Sequence, residues 1–462
     1  MAASRSTLPM VVLTTLFFMW GFMTVMNDVL IPHLKAVFTL SYAQSMLVQF
    51  AFFGAYFVGS VAYFALSLRG SDPIRRLGYK RASIAGLLLS ALGAVLFVPA
   101  TYVHVYGAYL AALFVLGLGF TLLQIAANPF VAIIGEPEGA SGRLNLAQAF
   151  NSLGTTLAPI VGGALIFRLF AGDAAVRWPY LAFAGLLVLQ AGWLWLTRLP
   201  EPPPSKAATG RAWEHPQLVR GMVAIFCYVG AEVAIGSLLI SFAGLPRVMG
   251  LTADDAKVYL SLYWGGAMIG RFLGAISLGR QMPARWRTVV MVGLGLVLFW
   301  LLFVLNRLES GVALDQVNTL LLFIGLNIFV FHLAGPNADR ALGLFALVTM
   351  GLLVAAVSGG GPWALWALTA IGLFNSIMWS NTFTLAIDGL GEDTAQGSSL
   401  LVMMIVGGAL LPYLQGLLAD SWATPEDPDA GLQQSFLLPL VCYAYLAWYG
   451  LRGSRHNKSV AA

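Results

Sequence analysis

Residues 11–31 read VVLTTLFFMWGFMTVMNDVLI, an apolar run whose single charge is Asp28. A bilayer core about 30 Å thick needs roughly 20 such residues to be crossed by a helix. The run lacks the small-residue cleavage site of a secretory leader and is expected to stay as a first span. The rest of the 462-residue chain repeats the theme: 59% of it is hydrophobic and only 10% charged, with a mean hydropathy of +0.81. Soluble domains carry about 25% charged residues, so lipid must be the solvent for this much apolar surface. In lipid each backbone polar group needs an internal partner, which leaves helices or a closed barrel. The runs are continuous and do not alternate, so the chain reads as an all-α membrane protein.

Fourteen spans are expected, at about 10–31, 43–67, 80–100, 105–134, 145–169, 178–198, 218–244, 257–279, 288–306, 317–334, 341–358, 363–388, 396–419 and 433–452. A proline-rich, charged segment at 200–217 separates an N-terminal domain, 1–199, from a C-terminal domain, 218–462. With the N-terminus placed inside, eighteen of the 25 lysines and arginines fall on cytoplasmic segments and six outside; Arg271 lies within a span. That bias predicts both termini in the cytoplasm. The net charge of +5 is then a property of the loops, and no nucleic-acid partner is expected. Cys227 and Cys442 lie in apolar runs, and no disulfide framework or metal-ligand spacing is visible.

The two halves share a pattern. Gly54 and Gly59 of span two match Gly265 and Gly270 of span eight, 211 residues on. Asn128 matches Asn381, and Gly154, Pro159 and Gly163 match Gly407, Pro412 and Gly416, all 253 residues on. The offset therefore grows by 42 residues after span eight, about one helical hairpin. The expectation is a duplicated six-span unit whose second copy carries an inserted hairpin at about 287–335. Chance matching in a glycine-rich chain is the alternative.

Ionisable residues inside spans are costly and tend to mark substrate or ion routes. Asp28, beside Asn27, reads as a titratable or cation-binding carboxylate, or as one that snorkels to nearby water. Glu232 reads as a ligand for substrate hydroxyls, or as a partner for a neighbouring helix. Arg271 reads as a structural gate residue that meets a helix C-terminus or a carboxylate. Thr121, Gln124 and Asn128 share one face of span four; Asn145, Gln148, Asn151, Ser152 and Thr155 recur at helical spacing in span five. Amides both donate and accept, which suits sugar hydroxyls, and they also join spans to one another. Asn375, Ser376, Trp379 and Asn381 mark a later span. Trp20, Tyr263, Trp264 and Trp379 suit stacking on a sugar ring, or interface anchoring and packing. His33, His104, His215 and His456 read as solvated loop or tail residues, and His332 as structural. The spans hold no nucleophile–base pair or cluster of metal ligands, so an enzyme is not expected.

Several motifs resemble the fucose–galactose–glucose symporters, a branch of the major facilitator superfamily. They are Asn27-Asp28-Val29-Leu30-Ile31-Pro32, Ala126-Ala127-Asn128-Pro129-Phe130, the run from Arg143 to Ser152, the run from Tyr263 to Phe272, and Gly372-Leu373-Phe374-Asn375-Ser376-Ile377-Met378. The resemblance spans nearly all of the chain outside the inserted pair. It implies the major facilitator fold, with two six-helix domains and a central sugar site, plus the extra hairpin of this chain. It implies a monomeric sugar symporter of a bacterial inner membrane that works by alternating access, needs no cofactor, and is driven by a coupling cation. It implies that Asp28 is important for coupling and that Gln148 and Asn151 line the sugar cavity. Gln124 stands where the fucose branch has a glutamate and looks like the glucose/galactose branch, which also shares the pattern containing Glu232. That branch includes sodium-coupled members, so the ion is Na⁺ or H⁺. The expected set is Asp28, Asn27 and Gln124 for the cation, and Gln124, Asn128, Gln148, Asn151, Glu232, Trp264, Asn375 and Trp379 for the sugar. Uncoupled sugar facilitation, or export of another small molecule by the same fold, is the alternative.

Overall fold

The computed structural model describes residues 7–68, 77–133, 140–199, 212–278, 283–390, 394–424 and 429–455. It contains helices and no strands among them. The chain folds as two compact units, Met1–Lys206 and Ala207–Ala462. Pro200 to Arg211 of the expected linker lie outside the described residues, as do His456 and the side chains of Arg143 and Asn145.

Unit 1 holds α1 (Thr7–Phe38), α2 (Tyr42–Leu68), α3 (Tyr79–Val95, carried on by Phe97–Val103), α4 (Tyr106–Ile133), α5 (Ala140–Gly163) and α6 (Ala174–Leu196). After Pro159 and Gly163, α5 widens into a π turn, Ala164–Leu169. The principal pairings are α1 on α5, α2 on α4, and α3 on both α4 and α6. His33 is half-buried within α1, which runs a further seven residues past the expected span end at Ile31, so it is not a loop residue.

Unit 2 holds α7 (Pro216–Gly244), α8 (Ala253–Leu278), α9 (Ala284–Ser310), α10 (Thr319–Ala334), α11 (Ala338–Ser358), α12 (Gly361–Asn375), α13 (Met378–Ile387), α14 (Thr394–Met403), α15 (Gly407–Ser421) and α16 (Leu437–Trp448). Its principal pairings are α7 on α15, α8 on α12, and α11 on both α12 and α16. They repeat those of unit 1 once α9 and α10 are set aside. This is the six-helix plan twice, with an extra helical hairpin in the second copy. The hairpin packs on α8, α11 and α12.

Glycine explains how closely the paired helices approach. A β-carbon on Gly154 of α5 would collide with the Phe18 carbonyl of α1, and one on Gly407 of α15 would collide with the Phe226 carbonyl of α7. Bilayers offer no hydrophobic drive between helices, so packing at small residues holds them together. At Gly154 and Gly407 the repeat seen in the sequence is a repeat of helix crossings, whereas a β-carbon on Gly54, matched to Gly265, would meet nothing within 4 Å.

Twelve helices of the described residues are long and apolar enough to cross a bilayer. The other two expected spans are α8, which carries Asp254, Asp255, Lys257 and Arg271, and the C-terminal stretch, which is broken into Ala430–Ser435, Leu437–Trp448 and a π turn, Tyr449–Gly453. Lys257, the first residue of the expected span 257–279, is 1% exposed. Its ammonium lies 2.8 Å from Asp254 and 2.5 Å from Glu309, so it ties α8 to the far end of α9. Asn306 of α9 donates to Ser261 of α8 at 3.2 Å. Removing one partner of a buried ion pair costs about 3–5 kcal/mol. Lys257→Met should therefore lower the melting temperature of the purified protein by several degrees, and an unchanged melt would show that the pair does not hold the hairpin.

Candidate functional site

In unit 1, α1 is clasped between two helices. Its Phe17–Phe18–Gly21 face meets α5, and its Trp20–Thr24–Asn27 face meets α2. On α2, Gln49 and Tyr56 are seven residues apart, two turns on one face. Gln49 donates its amide to Asp28 Oδ1 at 2.8 Å and accepts from Asn27 Nδ2 at 3.5 Å. The hydroxyl of Tyr56 lies beside Trp20 and Thr24. Asp28 is 3% exposed. It is enclosed by protein and held by an amide, so it is not a carboxylate that merely snorkels to water.

Gln124 and Asn128 lie on α4. The carbonyl oxygens of both, and that of Asn27, are buried without a hydrogen-bond partner. Buried polar atoms are paired in the great majority of cases, so an orphaned acceptor calls for an explanation such as a ligand or water. Thr121, on the same helix, is already engaged with the Gly117 carbonyl at 2.8 Å. On α5, Gln148 is half-buried. Asn151 donates to the Phe17 carbonyl at 3.0 Å and so also fastens α5 to α1.

In unit 2 the expected residues meet in a chain of hydrogen bonds. Tyr443 of α16 donates to Asn375 Oδ1 at 2.7 Å. Asn375 donates to the Tyr263 hydroxyl at 2.8 Å. Tyr263 donates to the backbone carbonyl of Glu232 at 2.9 Å. The Glu232 carboxylate accepts from Tyr228, one turn earlier on α7, at 2.7 Å. Trp264 packs edge-on against Tyr263, with ring centroids 5.1 Å apart. Trp379 lies on α13, stacked on Phe383.

Asn375 ends α12, and α13 begins at Met378, so this span is interrupted rather than the continuous 363–388 helix the sequence suggested. The carbonyls freed at the break find partners. Asn327 of α10 donates to the Leu373 carbonyl at 2.9 Å, and Arg271 Nε to the Ser376 carbonyl at 3.4 Å. The Arg271 charge also acts on Glu232. A broken backbone inside a membrane protein is tolerated where side chains satisfy it again. Sequence reasoning missed Gln49, Tyr56, Tyr228 as a partner, and Tyr443. Gln49 was visible as an amide within an apolar run; Tyr443 had no distinguishing signal.

No group of three or more His, Cys, Asp or Glu able to hold a metal exists among the described residues.

The Major Facilitator Superfamily pattern matches residues 11–339. The chain belongs to the major facilitator superfamily. It falls in the branch of fucose, glucose and galactose symporters. A glucose/galactose transporter of Brucella abortus is 42% identical over 455 residues, covering 96% of this chain and 93% of the relative. The L-fucose-proton symporter of Escherichia coli is 29% identical, covering 96% and 92%. The crystal structure of FucP in the outward conformation matches with a TM-score of 0.65 at 28% identity, over 98% of this chain and all of that one. Its place in this superfamily makes the protein a multi-pass membrane transporter and not an enzyme.

Proposed function

We infer that the protein imports a hexose of the glucose or galactose type across the bacterial inner membrane by alternating access, driven by Na⁺ or H⁺, with both termini cytoplasmic. The observation that carries the coupling is Asp28: a buried carboxylate on the first helix, held by an amide and next in the chain to Asn27, whose amide oxygen is buried without a partner. The sugar class rests on the 42% identity to the Brucella transporter. Binding a cation at Asp28 removes most of the cost of closing apolar surroundings over the carboxylate. The membrane potential then contributes about 2.3 kcal/mol per charge for each 100 mV. In unit 2, Glu232, Trp264, Asn375 and Trp379 are the sugar-binding candidates, and Arg271 secures the interrupted helix.

The orphaned oxygens of Asn27 and Gln124 are acceptors of the kind a hard cation takes, whereas a proton needs only one acceptor, so Na⁺ and H⁺ are both to be tested. Counterflow in proteoliposomes against a panel of hexoses, with imposed Na⁺ or proton gradients, tests the whole reading. Accumulation with a Na⁺ gradient supports sodium, and accumulation with a proton gradient alone supports H⁺. Exchange without accumulation would make the protein a facilitator, and no hexose exchange would overturn the sugar assignment. Gln124→Glu adds a titratable group on α4, so the pH profile of uptake by that variant should differ from the parent's. Identical pH profiles would remove Gln124 from the ion path.

A further inference from the structure

The extra hairpin and α8 border a partly open crevice of about 210 Å³ that the transport reading does not use; of its lining, Thr288 and His332 are exposed. Three helices line it. Ser277 stands at the end of α8; Arg287, Thr288 and Met291 lie on the first turns of α9; Ile328, Phe331 and His332 lie on the last turns of α10, with Gly335 just beyond. The lining divides by chemistry. Two hydroxyls, a guanidinium and an imidazole supply hydrogen-bond donors, whereas Met291, Ile328 and Phe331 supply an apolar wall. None of the eight lining residues is acidic. We propose that this cavity binds a phosphate group, with Arg287 as its principal ligand and Ser277, Thr288 and His332 completing the donors.

Several donors approaching from different helices suit a tetrahedral anion with several acceptor oxygens, and Arg forms strong charge-assisted bonds to phosphate. The surroundings make a phospholipid headgroup the leading source. Of the twelve membrane-spanning candidates, α9 is the least enclosed by protein: 33% of its apolar window is buried, against 83% for α7. Trp286 beside Arg287 is exposed, and Arg285 adds a second charge. Exposed Trp beside basic residues is characteristic of the membrane–water boundary, and basic pockets between spans bind anionic headgroups. The apolar wall offers an acyl chain a path. The site is also joined to the core. Phe331 packs on Phe345 of α11, with ring centroids 4.6 Å apart, and a β-carbon on Gly274 of α8 would lie 3.3 Å from its ring. A bound headgroup would thus brace the hairpin against α8 one layer from the interrupted helix.

The test uses the full-length protein in phosphatidylcholine nanodiscs. Its melting temperature is followed as phosphatidylglycerol is added to the bilayer, or inorganic phosphate to the buffer at constant ionic strength. Phosphatidylglycerol should raise it, and Arg287→Gln should weaken the apparent affinity by about tenfold or more, the value of a hydrogen bond to a charged group. Arg285→Gln, which removes the second charge but no lining residue, should weaken the response less than Arg287→Gln does; an equal loss would make it a surface-charge effect and overturn the site. The milder Thr288→Val and Ser277→Ala keep the test open should Arg287→Gln fold poorly, and each should blunt the response. A rise with inorganic phosphate alone would assign the site to a soluble phosphate and uphold the proposal. No rise with either, or equal responses in the wild type and all three cavity variants, would overturn it.

Discussion

Asp28→Asn is expected to reduce the steady-state accumulation of sugar to the external level while sugar-for-sugar exchange continues. Asparagine keeps the size of aspartate and can still meet Gln49, but it carries no charge and takes up neither a proton nor a cation. The 2.8 Å bond from Gln49 holds the carboxylate in place. The variant resembles the cation-loaded form in charge, so closing over the site should remain inexpensive and exchange should survive. Measuring uptake against an imposed gradient, beside counterflow without one, separates the two effects. Full accumulation by the variant would place coupling elsewhere, with Glu232 the next carboxylate to test.

Gly154→Val and Gly407→Val should each deplete folded protein, and by similar amounts. In both cases the new side chain meets a backbone carbonyl of the facing helix, an obstacle that cannot rotate away. Overpacking costs about 1–3 kcal/mol where side chains can shift, and backbone opposition should place these variants at about 3 kcal/mol or above. Gly293→Ala serves as a control, since nothing lies within 4 Å of the added carbon. Melting curves and size-exclusion profiles report the difference. Melts of both valine variants within a degree of the parent would show that the crossings are loose and that the shared glycine pattern has no packing role.

These crossings also explain what could be read from the chain. Spans were legible because a lipid-facing helix must be apolar along its length, and part of the repeat was legible because close crossings such as those at Gly154 and Gly407 leave room only for glycine. The hairpin showed itself as a change in offset, since α9 and α10 interrupt one copy and not the other. The break after Asn375 was not legible: Ser376 and Ile377 include neither proline nor glycine. What satisfies it lies in other helices, where Arg271 and Asn327 donate to the Ser376 and Leu373 carbonyls. The polar set was legible in part. Charges and amide stripes draw attention within apolar runs, so Asp28 and Gln124 stood out. Tyr443 did not, because a tyrosine in a span reads as an interface anchor until its hydroxyl is seen to meet Asn375 Oδ1.

The same bond has a consequence for biosynthesis. Asn375 is fully enclosed in the finished protein, yet the hydroxyl that satisfies its carbonyl is 68 residues further along the chain. At about 5–20 residues per second, the ribosome needs roughly 3–14 s to deliver it. Until then Tyr263, 112 residues earlier, is the partner already made. The pairing of both amide atoms seen in the folded protein is complete only once α16 has been delivered. Docking of α16 is therefore a folding step for a residue made seconds earlier.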